Sequence, residues 1–133
     1  MVAMVSVRDI VHDVDAAIAF YCRHLGFREQ MHPAPTFAML VRDKLRLLLS
    51  SPSEQSGGGQ IMPAGTKPAP GGWNRILLQV CDLEQTVAEF RQVGMHFRRD
   101  IVTGVGGLQI LLDDPSRNPV ELFQPTLPEA ASS

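Results

Sequence analysis

The side chains of this sequence that could bind a metal or move a proton are thinly spread. Histidines stand at His12, His24, His32 and His96, and no pair has the i, i+4 or short strand spacing that brings two imidazoles onto one ion. They read as capping or exposed residues, and His24, near the end of a helical stretch, also suits the helix dipole when protonated. Cys22 and Cys81 lie in unrelated segments without metal-type spacing and read as buried, reduced thiols. Gly104-Val-Gly-Gly107 looks superficially like a phosphate loop, but a strand rather than a helix follows it, so it reads as a tight turn. Trp73, the only tryptophan, is either a stacking wall for a flat ligand or a plug pinning the segment before it.

Charge narrows the field further. The formal net charge is −2 over 133 residues, and Arg98-Arg99 is the densest basic pair, so there is no electrostatic footprint for nucleic acid. With 44% hydrophobic and 20% charged residues the composition is that of an ordinary globule. A chain of this size removes roughly 70% of its unfolded surface from water, enough for a core without staples. Met1-Val-Ala-Met-Val-Ser-Val-Arg lacks the basic and apolar regions of a signal peptide, and no apolar run approaches the roughly 20 residues that span a bilayer. The expectation is a cytoplasmic protein with no membrane partner.

The elements that must position any site occur twice. Around Asp13, a short apolar strand leads to Asp-Val-Asp, a helical stretch and Leu25-Gly-Phe. Around Asp82, Ile76-Leu-Leu-Gln-Val leads to Asp-Leu-Glu and a helical stretch ending at Val93-Gly94. Each aspartate is a good N-cap and each glycine a stop. Val14, Ile18, Tyr21 and Leu25 fall on one helix face, as do Leu83, Val87 and Phe90. Strand character follows over 27–32, 36–42 and 45–50 with a turn at Asp43-Lys44, and again over 97–102, 108–112 and 120–124. Both halves thus read strand-helix-strand-strand-strand in a single domain: module one 1–50, module two 73–125 and a frayed tail 126–133. Between them, 51–72 is rich in Gly and Pro and reads as a linker or flexible flap.

A tandem βαβββ module with Asp-x-Asp before an Ala-Phe-Tyr helix and then Leu-Gly-Phe, closing on Asp113-Asp-Pro-Ser-Arg-Asn-Pro-Val-Glu-Leu-Phe, resembles the vicinal oxygen chelate superfamily. That superfamily holds glyoxalases, bleomycin-resistance proteins and extradiol dioxygenases. The resemblance runs from Val5 to Pro125 and implies an α+β fold in which two modules pair mainly antiparallel sheets into a cup, commonly as a homodimer. It also implies where catalytic members hold a divalent metal: on the first and last strands of each module, with His or Gln on first strands and Glu on last strands.

Counting seven residues back from the capping aspartates places the first-strand positions at Ser6 and Arg75; the last-strand positions fall near Leu47 and on Glu121. Only Glu121 is a good ligand, because arginine cannot coordinate a metal and leucine offers nothing to one. The preferred reading of Glu121 is an ion pair with Arg75 across neighbouring strands, set against a surviving ligand or general base. By alternation Arg8, Ile10, Leu77 and Gln79 share the cup face with Ser6 and Arg75, and Met39, Val41 and Leu49 supply more of its wall. Arg117 stands where the resemblance implies Gly, in a turn that favours positive φ.

The expected function is a small-molecule binder for an aromatic or anionic ligand, without metal or other cofactor. Its candidate ligand contacts are Ser6, Arg8, Arg75, Leu77, Gln79, Glu121, Trp73 and Met39. The alternatives are a divalent-metal lyase, isomerase or dioxygenase with displaced ligands, and a structural or regulatory domain with a vestigial cup.

Overall fold

A computed structural model describes residues 4–53, 58–128 and 131. The start of the N-terminal segment, Gly57 of the glycine run and half of the expected frayed tail lie outside the described residues. The first half forms β1 (Val5–Ile10), α1 (Val14–His24), β2 (Arg28–Ala34), β3 (Phe37–Arg42) and β4 (Leu45–Ser50). The second forms β5 (Ile76–Gln79), α2 (Leu83–Gln92), β6 (Val102–Thr103), β7 (Gly107–Asp113) and β8 (Pro119–Pro125). The result is α+β, with two four-stranded mixed sheets ordered β1-β4-β3-β2 and β5-β8-β7-β6. In each, the first strand runs parallel to the last and the other pairings are antiparallel.

The chain divides into two compact units, Met1–Gly71 with Pro115–Asn118, and Gly72–Asp114 with Pro119–Ser133. In both, the helix starts where the aspartate says it should. Asp13 Oδ1 accepts from Ala16 N and Asp82 Oδ1 from Gln85 N, each at 3.0 Å, satisfying an amide that the first helical turn leaves unpaired. Gly26 at φ 76° and Gly94 at φ 81° then take the left-handed conformation that ends a helix.

In the first unit α1 buries Val14, Ala17, Phe20 and Tyr21 against one sheet face, with Ala38, Leu40, Leu47 and Leu49 beneath. Tyr21 packs edge-on to Phe20 and Phe27 and donates its hydroxyl to Asp9 Oδ2 at 3.2 Å, so Asp9 also faces the helix. In the second unit α2 buries Leu83 and Val87, with Leu78, Ile110, Leu112, Val120 and Leu122 completing the core. Gln124 Oε1 accepts from Leu83 N at 2.7 Å, which places the even-numbered residues of β8 on the helix side.

Two expectations need correction. The segment 97–102 forms no continuous strand: Phe97 makes an isolated bridge to Leu112, and only Val102 and Thr103 pair as β6. Arg98 instead bonds across the gap, its amide to Leu111 O at 3.0 Å and its Nε to Asp113 Oδ1 at 2.7 Å. Cys81 is exposed at the turn before the Asp82 cap, whereas Cys22 is half-buried, its thiol pushed up by burial and then by Glu29. Within 51–72, Ser53 N bonds to Gly59 O at 2.9 Å, and Gly71 N bonds to Asn118 Oδ1 at 2.7 Å, which ties the end of the segment to the rest of the first unit. Among the described residues no helix is long and apolar enough to cross a membrane.

Candidate functional site

Strand register decides which side chains share the face of each sheet that its helix leaves uncovered. In the first sheet Ser6 lies opposite Arg46, Arg46 opposite Val41, and Val41 opposite Arg28, so these four form one row. The next row is Arg8, Leu48, Met39 and Met31, and beyond it stand Ile10, Ser50 and Phe37. Arg8 Nη1 donates to Ser50 Oγ at 2.9 Å. The Arg8 guanidinium also rests against Gly58, where an added Cβ would push this flexible side chain aside.

Leu47 and Leu49 do not share that face. Leu47 is opposite Val7 and Leu40 and is 0% exposed, and Leu49 is opposite Asp9 and Ala38, so both belong to the helix-side core. A one-residue slip turns a strand's whole pattern over. The first-unit counterpart of Glu121 is Leu48, because Arg8 is opposite Leu48 as Leu77 is opposite Glu121.

In the second sheet the helix-free face carries Leu77, Gln79, Leu111, Asp113, Glu121 and Phe123. Arg75, just before β5, donates its Nε to Glu121 Oε1 at 2.9 Å; the side chains are 31% and 10% exposed. Nη1 of the same arginine donates to Trp73 O at 3.1 Å. Arg98 stands 5.7 Å from the Trp73 ring while holding Asp113, and His96 Nδ1 lies 2.8 Å from Asp113 Oδ2. The indole is 73% exposed, so Trp73 is not a buried plug; it offers a flat face braced by a cation. Leu77, on the helix-free face of the same unit, is 50% exposed.

The residues predicted from sequence therefore fall into two sets. Ser6, Arg8 and Met39 share the helix-free face of the first sheet, and Arg75, Leu77, Gln79, Glu121 and Trp73 gather in the second unit. Sequence reasoning missed Arg46, Arg98 and Asp113. Arg46 was legible from alternation with Leu48 and Ser50 once β4 is registered on Ser6, whereas Arg98 had only its place in a basic pair as a signal.

The four histidines are not brought together. His12 lines a cavity of about 440 Å³ with Thr36, Ser51 and Lys67, and His32 Nε2 approaches Asp15 at 3.8 Å. Among the described residues no three His, Cys, Asp or Glu side chains gather as a metal would need. Neither pair of positions, Ser6 with Leu48 (in place of the expected Leu47) in the first unit or Arg75 with Glu121 in the second, offers a divalent ion a fitting set of donors, because the one strong ligand, Glu121, already accepts from a guanidinium.

Two β-α-β-β-β units, each with a four-stranded mixed sheet, make up the architecture of the chain. The chain belongs to the Glyoxalase/Bleomycin resistance protein/Dioxygenase superfamily, whose family model matches residues 4–122. Among solved structures it is similar to a superfamily member from Sphaerobacter thermophilus, with 23% identity, 93% and 98% of the two chains covered and a TM-score of 0.73. Lactoylglutathione lyase from Agrobacterium tumefaciens shares 21% identity over 92% of each chain, with a TM-score of 0.71. TnmS3, an antibiotic-binding protein from Streptomyces, shares 21% identity over 92% and 95%, with a TM-score of 0.69. At these identities the likeness is one of fold. No protein of curated function matches the sequence.

Proposed function

We propose that this chain binds a small aromatic or anionic molecule on a helix-free sheet face, without a metal ion. The observation that carries the reading is the Arg75–Glu121 pair at 2.9 Å, which occupies two expected ligand positions with a hydrogen-bonded ion pair. A guanidinium there supplies the positive charge a metal would have supplied, but as a fixed hydrogen-bond donor rather than a Lewis acid. It can orient a carbonyl or carboxylate; it cannot gather two vicinal oxygens into one coordination sphere. Exposed Trp73, braced by Arg98, adds a surface on which a planar group stacks. That an antibiotic-binding protein shares the fold is in keeping with this reading.

The test is the melting temperature of chelator-treated protein across a panel of aromatic and aliphatic acids and their neutral analogues. A ligand that binds only the native state stabilises by about 2.7 kcal/mol at 100 Kd, so a true ligand shifts melting with concentration. Saturable shifts without metal support the proposal. Shifts that appear only after adding Zn, Ni, Fe or Mn favour a lyase, isomerase or dioxygenase; no shift under either condition favours a structural or regulatory domain.

A further inference from the structure

We infer that the helix-free face of the first sheet is an oxyanion site, in which Arg8 and Arg46 hold the charged end of a small organic acid. The inference rests on the chain being a small-molecule binder and names the class of ligand and where its charge goes. Arg8 and Arg46 stand on adjacent parallel strands, Arg46 opposite Ser6 and Arg8 two residues further along. Their alternation puts both on one face, about one diagonal neighbour apart. Arg8 is held by its hydrogen bond to Ser50 Oγ and lies close against Gly58, so its guanidinium is pre-positioned. Arg46 Nε is buried without a hydrogen-bond acceptor, and among the described residues its guanidinium meets no carboxylate.

A buried N–H of a cation with nothing to donate to is costly, and the described residues around it offer no internal remedy. Among the described residues, the carboxylates of the first unit are engaged or turned elsewhere. Asp9 takes the Tyr21 hydroxyl on the helix side, Glu29 is opposite Leu40 on that same side, and Asp13 caps α1. Asp15 lies by His32, and Asp43 sits in the β3–β4 turn at φ 52°. Arg28 adds a third cation at the end of the Arg46 row. Leu48, Met39 and Phe37 lie beside the arginines on the same face, so the complementary ligand has an anionic head and an apolar body. Carboxylates and phosphonates share the chemistry that two guanidinium forks recognise.

The experiment is calorimetric titration of the chelator-treated full chain with benzoate, phenylphosphonate and uncharged benzamide. The acids should bind at least about tenfold more tightly than benzamide, with affinity falling as salt rises. Whichever acid binds more tightly identifies a planar or tetrahedral head. Arg8→Gln and Arg46→Gln should each lower acid affinity by about tenfold or more, while Arg23→Gln, an equal charge change on exposed α1, should leave it unchanged. Arg46→Met should also raise the melting temperature of the ligand-free protein by roughly 2–4 °C, since it removes an unsatisfied buried donor. A merely structural arginine would move melting the other way. Acid affinity equal in wild type, Arg8→Gln and Arg46→Gln overturns the oxyanion site and leaves small-molecule binding standing. Failure of both acids to bind the wild type overturns the site as well, and the neutral members of the melting panel then judge small-molecule binding separately.

Discussion

The two sheets have the same topology and different electrostatics. On the helix-free face of the second, Arg75 is matched by Glu121 and Arg98 by Asp113, both carboxylates with side chains only 10% exposed. On the corresponding face of the first, Arg8, Arg46 and Arg28 meet no carboxylate among the described residues. The difference arises at equivalent register: Glu121 faces Leu77 in one unit, and Leu48 faces Arg8 in the other. Fold and charge are thus specified by different residues of the same strands. The helix-side positions are alike in both units, whereas the other face is free to diverge.

The largest effect that tests this division is on β4. Leu47 is fully buried on the helix side, so Leu47→Ala should cost about 3 kcal/mol in urea unfolding, by lost burial plus the cavity left behind. Leu48→Ala, one residue on but on the other face, should cost less than about 1.5 kcal/mol. Equal costs would mean that β4 does not have two distinct faces.

Next comes the ion pair. Arg75→Leu leaves the Glu121 carboxylate largely buried without its partner and should destabilise by about 3 kcal/mol, the lower end for a broken buried pair because Arg75 is partly exposed. The double variant Arg75→Leu with Glu121→Leu should recover most of that loss, since no unpaired charge remains. Additive losses in the double-mutant cycle would show that the two side chains do not act as a pair.

These two positions also show how far the sequence could be read. Both helices, their aspartate caps and their glycine stops were legible because they rest on local chemistry: an N-cap needs one oxygen at one spacing, and a left-handed C′ residue needs a missing Cβ. Arg75 and Glu121 were legible because both could be counted from fixed points. Leu47 was misplaced by one residue because β4 is apolar almost throughout, Leu45-Arg-Leu-Leu-Leu-Ser, and such a run carries little alternation to set its register. The same error hid Arg46. The stretch 97–102 misled for another reason, since its strand-like residues are held by Arg98 bonding to Asp113 rather than by a ladder.

The smallest effect concerns the hairpin turns. The last hairpin of each sheet carries one left-handed residue other than glycine, Asp43 at φ 52° and Arg117 at φ 67°. Aspartate tolerates that region better than arginine, so Arg117→Gly should stabilise by about 1 kcal/mol and Asp43→Gly by a few tenths at most. A larger gain at Asp43 than at Arg117 would contradict this ranking.

The most direct test of the central claim, that a guanidinium and not a metal supplies the positive charge in the second unit, is calorimetric titration of chelator-treated protein with Zn, Ni, Fe and Mn. With Glu121 engaged by Arg75, and Ser6 and Leu48 at the other expected positions, no metal should bind with micromolar or tighter affinity. Binding of one metal per chain at micromolar affinity or better, abolished by Glu121→Ala, would contradict the account and make the chain a metalloenzyme with an altered ligand set.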